Sequence, residues 1–461
     1  MKTGIVSVLA ISIALAGAVG GVSAVSAETL KEAMAAAYAS NPQLKAQRAS
    51  LRAVDEGVSR ARAGFRPTLS GSFQKSKTKN DTSQLSFDPV TDESVSTDTS
   101  DYQTMSLTAR QSIFSGFGTM SENNRAKNNV KAARANLQSV EQQVFLDTVT
   151  AYVDVFRDRA TLNLNENQIQ VLERQLQASR DRFRVGEITR TDVAQSEARL
   201  ERSKSQRLQS VANLAASRAK YQRVVGSMPA GLAQPKGLPQ LPGSIDDALE
   251  QARVASPNVI AARFSERAAA SAIKSAKSSL LPTVGVQASI TKSEAGAGDI
   301  NYDARTAKTI GIQVNVPLYT GGASYSDIRR AKAQRSQAMM NIEQAERIAA
   351  ENAFVAWDRL RAANAQIVSS NAQVRANEIA LEGVNQEAAV GSRTTLDVLN
   401  AAQELLDSRV NLIRAQRDEF VAAYGLKAAV GGLNARDLDL NVELYDPKEN
   451  ADDVKNKLIG Y

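Results

Sequence analysis

The side chains that could do chemistry in this sequence are carboxylates, amines and hydroxyls, because its 461 residues include neither His nor Cys. Without these two residue types the chain cannot build a Ser-His-Asp or Cys-His nucleophile, a thiolate metal site or a disulfide. The Asp, Glu and Lys residues are scattered along polar helical stretches, where such side chains are ordinarily solvated. We therefore predict that the protein is not an enzyme and that it holds no cofactor or resident metal ion.

The charge pattern gives no support for binding to nucleic acid. The chain has 56 basic and 49 acidic residues and a formal charge of +7. These charges are spread along the sequence, without a dense run of Lys and Arg with interleaved aromatic residues. The aromatic content of 5% also argues against one thick globular core.

The first residues predict export from the cytoplasm. Lys2 precedes a short apolar run from Ile5 to Val19, and Val25-Ser26-Ala27 supplies the small residues of a cleavage site. A membrane anchor would need about 20 apolar residues, which is longer than this run. We expect a signal peptide cut after Ala27, and the lack of Cys excludes a lipid anchor on the mature chain.

The mature sequence is a two-fold internal repeat. Pro67-Thr68 matches Pro282-Thr283 at a separation of 215 positions, and Asp192 matches Asp397 at a separation of 205. Several other pairs share one or the other separation, so the two halves are a duplicated unit in which the first copy carries ten extra residues. The predicted segments are a signal peptide (1–27), a first repeat (28–228), a linker (229–243), a second repeat (244–431) and a C-terminal equatorial segment (432–461).

Each half contains two segments in which apolar and polar residues alternate. The alternation is clear over 102–113 and from Ile310 to Leu318, and weaker from Leu69 and from Val284. About ten alternating residues fit a tilted strand that crosses a bilayer. A half-buried sheet in a soluble domain is the alternative for each segment taken alone. Polar loops are predicted between the paired strands, at 75–101 and 291–307.

The remaining sequence is typical of helix. Residues 119–185 contain neither Gly nor Pro, which permits a helix of about 100 Å. The repeat partner of this helix is predicted over 323–382. Shorter helices are predicted before the strands (30–64 and 245–280) and after the long helices (187–225 and 394–430).

Four bilayer-length strands cannot close a barrel, and an open edge would leave backbone groups unpaired in hydrocarbon. The chain must therefore oligomerise so that several copies pool their strands. Long helices that continue from such a barrel could form a hollow cylinder, which indicates a conduit. The number of copies does not follow from this reasoning.

Specific motifs resemble the TolC family of outer-membrane efflux proteins. They are Phe114-Ser-Gly116, its counterpart Tyr319-Thr-Gly321, and the segment from Val390 to Leu399. The resemblance implies an α+β membrane protein, in which a trimer forms a 12-stranded outer-membrane β-barrel continued by a periplasmic α-helical barrel. It also implies contact with outer-membrane lipid, with a periplasmic adaptor, and with an inner-membrane efflux pump or an ABC exporter of type I secretion.

The resemblance also implies roles for individual residues. Thr191, Asp192 and Arg393 match a polar latch that holds the periplasmic tips closed, although Ala388 stands where the archetype has Tyr. Asp397 matches a carboxylate ring that can bind multivalent cations, and the second acidic position of that constriction is Asn400 here. The predicted adaptor-docking residues at the tips are Val185, Gly186, Val390 and Gly391.

Two interpretations remain for function. The first is a gated passive channel through the outer membrane. The second is a periplasmic coiled-coil adaptor or scaffold, which would be built from helical hairpins without membrane strands. An Asp at position 397 could also serve only as a favourable helix N-terminal residue.

Overall fold

A computed structural model describes residues 27–83, 95–229, 231–235, 237–297, 303–455 and 457. The predicted signal peptide lies almost wholly outside these residues. Within them, the chain forms nine α-helices and four strands, and each half repeats the order of two short helices, two strands, one very long helix and a return helix.

Each half begins with a helix that is interrupted and restarted at a proline. In the first half α1 covers Leu30–Ser40 and α2 covers Pro42–Ala63. The Asn41 side chain caps α2, and Pro42 occupies its first position, where a missing N–H costs nothing. In the second half α5 covers Ile245–Ala255 and α6 covers Pro257–Lys277. The single helices predicted over 30–64 and 245–280 are therefore each divided in two at a proline.

Two helices of 67 residues dominate the structure. They are α3 (Gly118–Arg184) and α7 (Ala323–Ala389), each about 100 Å long. The predicted end of the second helix before Gly383 was wrong, because α7 continues through that glycine to Ala389. An interior glycine costs a helix only about 1 kcal/mol relative to alanine.

Each long helix folds back into an antiparallel partner. The return helices are α4 (Arg190–Val225) and α8 (Thr395–Ala429). The hairpin of α3 and α4 lies beside the hairpin of α7 and α8, since α8 contacts both α3 and α4, while α6 packs against both α3 and α7. The final helix, α9 (Glu449–Val454), rests on α2.

The four strands form one antiparallel sheet in the order β1-β2-β3-β4. They cover Thr68–Ser83, Val95–Ser115, Thr283–Ala297 and Asp303–Asn315. The sheet therefore joins the two halves through the pairing of β2 with β3, with a bulge between Ser112 and Phe114. Within this chain β1 and β4 are the edges.

The predicted polar loops were wrong wherever the structure describes them, and their central parts, 84–94 and 298–302, lie outside the described residues. Residues 75–83 and 95–101 belong to β1 and β2, and the register continues to the pair Ser83 and Val95. Most of 291–307 likewise belongs to β3 and β4. Main-chain hydrogen bonds extend a hairpin beyond the apolar alternation, because the ladder does not require apolar side chains. Conversely, β4 ends at Asn315, so Val316 and Leu318 lie after the strand.

The largest hydrophobic core lies where the two halves and the C-terminal segment meet. Tyr152, Tyr221 and Phe145 are fully buried there, together with Met34 and Leu433. The Tyr152 hydroxyl donates to the carbonyl of Glu28 or Ala233, and the Tyr221 hydroxyl donates to the Glu28 carboxylate. No described helix is long and apolar enough to cross a membrane.

Candidate functional site

The helical hairpins turn at glycines with left-handed backbone. Gly186 has φ +80° between α3 and α4, and Gly391 has φ +78° between α7 and α8. A side chain would strain this conformation, so both turns favour glycine. The neighbouring Val185 and Val390 are 78% and 80% exposed. The structure thus places all four predicted docking residues at the hairpin tips, and their contact with an adaptor stays a prediction.

Asp192 and Asp397 both initiate the return helices. The Thr189 N–H donates to Asp192 Oδ2 at 3.0 Å, and the Asp192 N–H donates to Thr189 Oγ1 at 3.3 Å. The second half repeats this with Thr394 and Asp397, at 3.0 and 3.2 Å. Each pair is a reciprocal capping box, here with Asp at the position usually held by Glu or Gln. The repeated Thr-x-x-Asp spacing could have revealed both caps in the sequence.

The Asp397 carboxylate is held in its ionised form. Hydrogen bonds from the Thr394 hydroxyl and N–H lower its pKa below the ordinary value of 3.8, and the charge of Arg393 adds to this. The capping bonds use Oδ2. Oδ1 is therefore available to a cation, so capping the helix and binding a cation are compatible roles for this residue.

The remaining latch residues are arranged differently from the predicted ion pair. Arg393 Nε donates to Glu387 Oε2 at 2.7 Å across its own turn, and the Asp192 carboxylate is engaged by Thr189. Within the described chain Asp192 and Arg393 therefore do not form a bridge. Glu387 is a partner that the resemblance did not suggest. A latch contact between neighbouring copies stays a prediction.

The other two predicted gate positions lie on either side of the same turns. Thr191 is exposed in the first turn of α4, and Ala388 is 8% exposed in the last turn of α7. The small Ala388 side chain has no polar group for a latch. Any polar latch in this chain must therefore use other residues.

A direct contact joins the two hairpins near their tips. Arg199 Nη2 on α4 donates to Asn400 Oδ1 on α8 at 2.7 Å. Beside it, Leu399 is buried against Leu176 and Leu200, so that α8 packs into the α3–α4 hairpin. Asn400 was predicted as a constriction residue, whereas Arg199 was missed because one sequence does not reveal which residues of separate helices meet.

Farther from the tips, a buried ion cluster joins three helices. Asp154 on α3 lies within 3.1 Å of Arg157 and of Lys220 on α4, and 2.8 Å from Arg417 on α8. The Asp154 side chain is 9% exposed and its three partners are 23–42% exposed, so these ion pairs are less screened than pairs between two exposed side chains. Nothing in the sequence pattern indicates this cluster, since each charged residue has the spacing of a solvated helix face.

The sheet has one apolar and one polar face, as the alternation predicted. Leu69, Phe73, Ile310 and Ile312 are between 59% and 80% exposed on the apolar face. On the other face, Ser72 and Ser106 hydroxyls lie 2.8 Å apart, and polar side chains continue across the strands. An exposed apolar sheet face of this kind fits lipid, and the polar face fits a water-filled lumen.

Comparison with known proteins identifies the family. The family model described as outer membrane efflux protein matches residues 33–227 and 248–432, which is most of the chain. The chain belongs to the outer membrane efflux protein family. It is 35% identical to the outer membrane efflux protein BepC of Brucella suis biovar 1, over 98% of this chain and 96% of that protein.

More distant members of the outer membrane efflux family support the same assignment. The chain is 25% identical to the outer membrane protein TolC of Escherichia coli K12, over 91% of this chain and 86% of TolC. The crystal structure of the outer membrane protein VceC from Vibrio cholerae shares the fold, with a TM-score of 0.70, 21% identity, and coverage of 87% of this chain and 96% of VceC.

Family membership confirms several predictions from the sequence. The protein is an outer-membrane exit channel with long helices that extend into the periplasm. Its fold is that of the outer-membrane efflux channels, with a four-stranded sheet and long helical hairpins in each chain. The family consists of channel and transport proteins rather than enzymes.

Proposed function

We propose that three copies of this chain form a passive, gated exit duct. The observation that carries this proposal is the four-stranded sheet with an apolar face and two open edges, continued by helices of 67 residues. Unpaired edges in hydrocarbon cost several kcal/mol for each backbone group. Three copies remove all the edges by pooling twelve strands, and their helices form a tube about 100 Å long.

The duct is gated at the periplasmic tips. The Asp397 carboxylates of three copies form a ring near the constriction, where Asn400 replaces a second acidic residue. Thr191, Asp192 and Arg393 contribute polar contacts between neighbouring copies, and the Arg199–Asn400 hydrogen bond holds the two hairpins of one copy together. These exposed contacts are individually weak, so a docking partner can open them.

The partners are a periplasmic adaptor and an inner-membrane pump or ABC exporter. The adaptor docks at the two glycine turns with their exposed valines, and the inner-membrane partner supplies the energy. The only chemistry of the duct itself is ion binding. Among the described residues of one copy, no group of three or more acidic side chains could hold a metal ion.

A single introduced thiol tests this assembly, because the natural sequence has no Cys. Purified Val390→Cys protein should form heat-modifiable trimers that conduct ions in planar bilayers. In cells, the thiol should crosslink to a hairpin-bearing periplasmic adaptor. Leu444→Cys, which is also exposed but remote from the tips, is the matched control and should not crosslink.

The rival function, a soluble periplasmic adaptor, predicts different results. It requires that the protein fractionate with the periplasm and form no ion-conducting pores. Either result for the purified natural chain would overturn the channel proposal. Crosslinking to the adaptor from Leu444→Cys but not from Val390→Cys would overturn the assignment of the tips alone.

We expect Arg199→Ala to increase the open fraction of the channel. The substitution removes one hydrogen bond per copy, each worth about 1 kcal/mol, so three copies could shift the gate by up to about 3 kcal/mol. Asn400→Asp should act in the opposite direction, because it converts the contact into an ion pair. Single-channel conductance and uptake of a large antibiotic measure both effects.

Arg202→Ala is the matched control for the Arg199 prediction, since Arg202 is an exposed arginine less than one turn farther along α4. It should leave conductance unchanged. Equal conductance of Arg199→Ala, Asn400→Asp and the natural protein would contradict the role of this contact in the gate.

A further inference from the structure

The apolar face of the sheet ends in a row of lysines. They are Lys75 on β1, Lys292 on β3 and Lys308 on β4. Each lysine lies two positions from an exposed apolar residue on the same face of its strand. The pairs are Lys75 with Phe73, Lys292 with Ile290, and Lys308 with Ile310. Three of the four strands thus change from apolar to basic at the end nearest the β-hairpin connections, and we call these three residues the lysine row.

The strand register places the lysine row on one face. Lys292 pairs with Met105, which pairs with Phe73 on β1. Ile290 pairs with Lys308 on β4. Paired residues of antiparallel strands project to the same side of a sheet. The three lysines therefore border the same face that carries the exposed apolar side chains.

Together, the lysine row and the described side chains beyond it place more positive than negative charge on this face. Lys77 and Lys79 continue the same face of β1, and the described carboxylates on this face are Asp101, opposite Lys77, and Glu294. Lys292 Nζ lies 2.6 Å from Glu294 Oε1, in a pair whose lysine side chain is 54% exposed. Such an exposed pair is weak, so Lys292 can exchange it for a stronger anion.

The opposite border of the apolar face has a different composition. Phe65, Phe117 and Tyr319 lie at the junctions of strands and helices and are 52%, 60% and 84% exposed. Aromatic side chains of this kind typically mark the interface of a bilayer. The border of the apolar face nearest the helices (the helical border) is therefore aromatic. The border nearest the β-hairpin connections (the hairpin border) is basic. This asymmetry points to two leaflets of different headgroup chemistry.

The spacing between the borders fits one bilayer. A strand tilted by about 40° rises about 2.5 Å per residue along the membrane normal. The distance from Val284 to Lys292 on β3 is then about 20 Å. The aliphatic stem of lysine can lie along the apolar band while its ammonium reaches the headgroups, which extends the band toward the usual 25 Å or so.

We propose that the lysine row binds the phosphate groups of the phosphorylated glycolipid in the outer leaflet of the outer membrane. The long helices occupy the periplasmic side, so the hairpin border faces outward. Ammonium groups recognise phosphate as point charges, and several along one border of the sheet match an array of anionic headgroups. The aromatic border then lies in the inner leaflet. This inference uses the outer-membrane location and is independent of the proposed gate.

Binding of diphosphoryl lipid A to the purified channel tests the proposal. The variant K75Q/K292Q/K308Q should bind it with an affinity lower by about one hundredfold at low salt, since each lysine near an anionic membrane surface changes affinity about fivefold. The loss should be smaller at high salt. Replacement of the same lysines by arginine should restore binding, and K45Q/K274Q/K332Q, on exposed helical positions, should bind as the natural chain does.

Three results would overturn the proposal. One is unchanged lipid A binding in the glutamine variant. Another is equally tight binding of dephosphorylated lipid A by the natural chain. The third is equal affinity for vesicles of phosphatidylglycerol, which would indicate a general anionic-lipid surface. Heat-modifiable trimers and normal conductance of the glutamine variant in phosphatidylcholine show that it is folded.

Discussion

Asp154→Ala is expected to weaken the packing between the two helical hairpins and to lower the stability of the helical region. The substitution removes the carboxylate that Arg157, Lys220 and Arg417 share. Arg157 keeps its pair with Asp158 and Arg417 keeps its pair with Asp418. Because these cations are 23–42% exposed and two of them keep a partner, we expect a cost of about 2–3 kcal/mol, below the usual cost for a fully buried pair. Because the cluster joins α3, α4 and α8, its loss weakens the packing of the α3–α4 hairpin against the α7–α8 hairpin. The midpoint of thermal helix loss, followed by circular dichroism, should fall by about 2–3 °C in a chain of this length.

The second ion pair of Arg417, with Asp418, provides the control for this prediction. Arg417 also contacts Asp418 at 2.8 Å, but the Asp418 side chain is 59% exposed. Asp418→Ala should therefore change the midpoint by less than about 1 °C, as expected for a surface pair. Equal shifts for the two variants would show that the buried cluster contributes no more than a surface ion pair.

The overall arrangement could be predicted because it depends on periodic features of the sequence. The absence of Gly and Pro over 119–185 defined the first long helix, and alternation over 102–113 defined a membrane strand. The internal repeat then transferred both features to the second half. The prediction failed where a helix end was inferred from a single residue, as at Gly383. The free energy gained by packing the helix exceeds the cost of about 1 kcal/mol of one interior glycine.

The ends of the strands could not be predicted for a related reason. Apolar alternation reports only the part of a strand that faces lipid, whereas the hydrogen-bonded ladder continues through polar residues. The pair Lys77 and Asp101 illustrates this, since both lie in the predicted loop and yet are partners in the sheet. The lysine row was overlooked for the same reason, because its members stand at or beyond the end of the alternating pattern.

The candidate site was predictable only in part. The glycine turns and the two aspartates follow from the repeat and from the family resemblance. Their partners do not, because Arg199 with Asn400, and Asp154 with Arg417, belong to different hairpins. A single sequence carries no information about which face of one long helix meets another. The contacts that couple the hairpins therefore required the structure.

Asp397→Asn is expected to abolish block of the channel by divalent and trivalent cations. The asparagine side chain can still accept the capping bonds from Thr394, so helix α8 should begin as before. The substitution removes three negative charges from the proposed ring, and without them a multivalent ion loses its main attraction. The blocking concentration, measured by single-channel recording, should rise at least about tenfold, which corresponds to about 1.4 kcal/mol.

Asp192→Asn is the matched control, because Asp192 forms the equivalent cap on α4 but is not assigned to the ring. It should leave cation block intact even if it alters the resting conductance.

The pH dependence provides a second criterion for the ring. Hydrogen bonds from Thr394 lower the pKa of Asp397 below 3.8, so the carboxylate stays ionised above that pH and loses its charge only as the pH falls through the lowered pKa. Block by the same cation should therefore be equal at pH 7.5 and pH 5.5. Equal block in Asp397→Asn and the natural channel, or block that disappears between pH 7.5 and 5.5, would show that another group binds the cation.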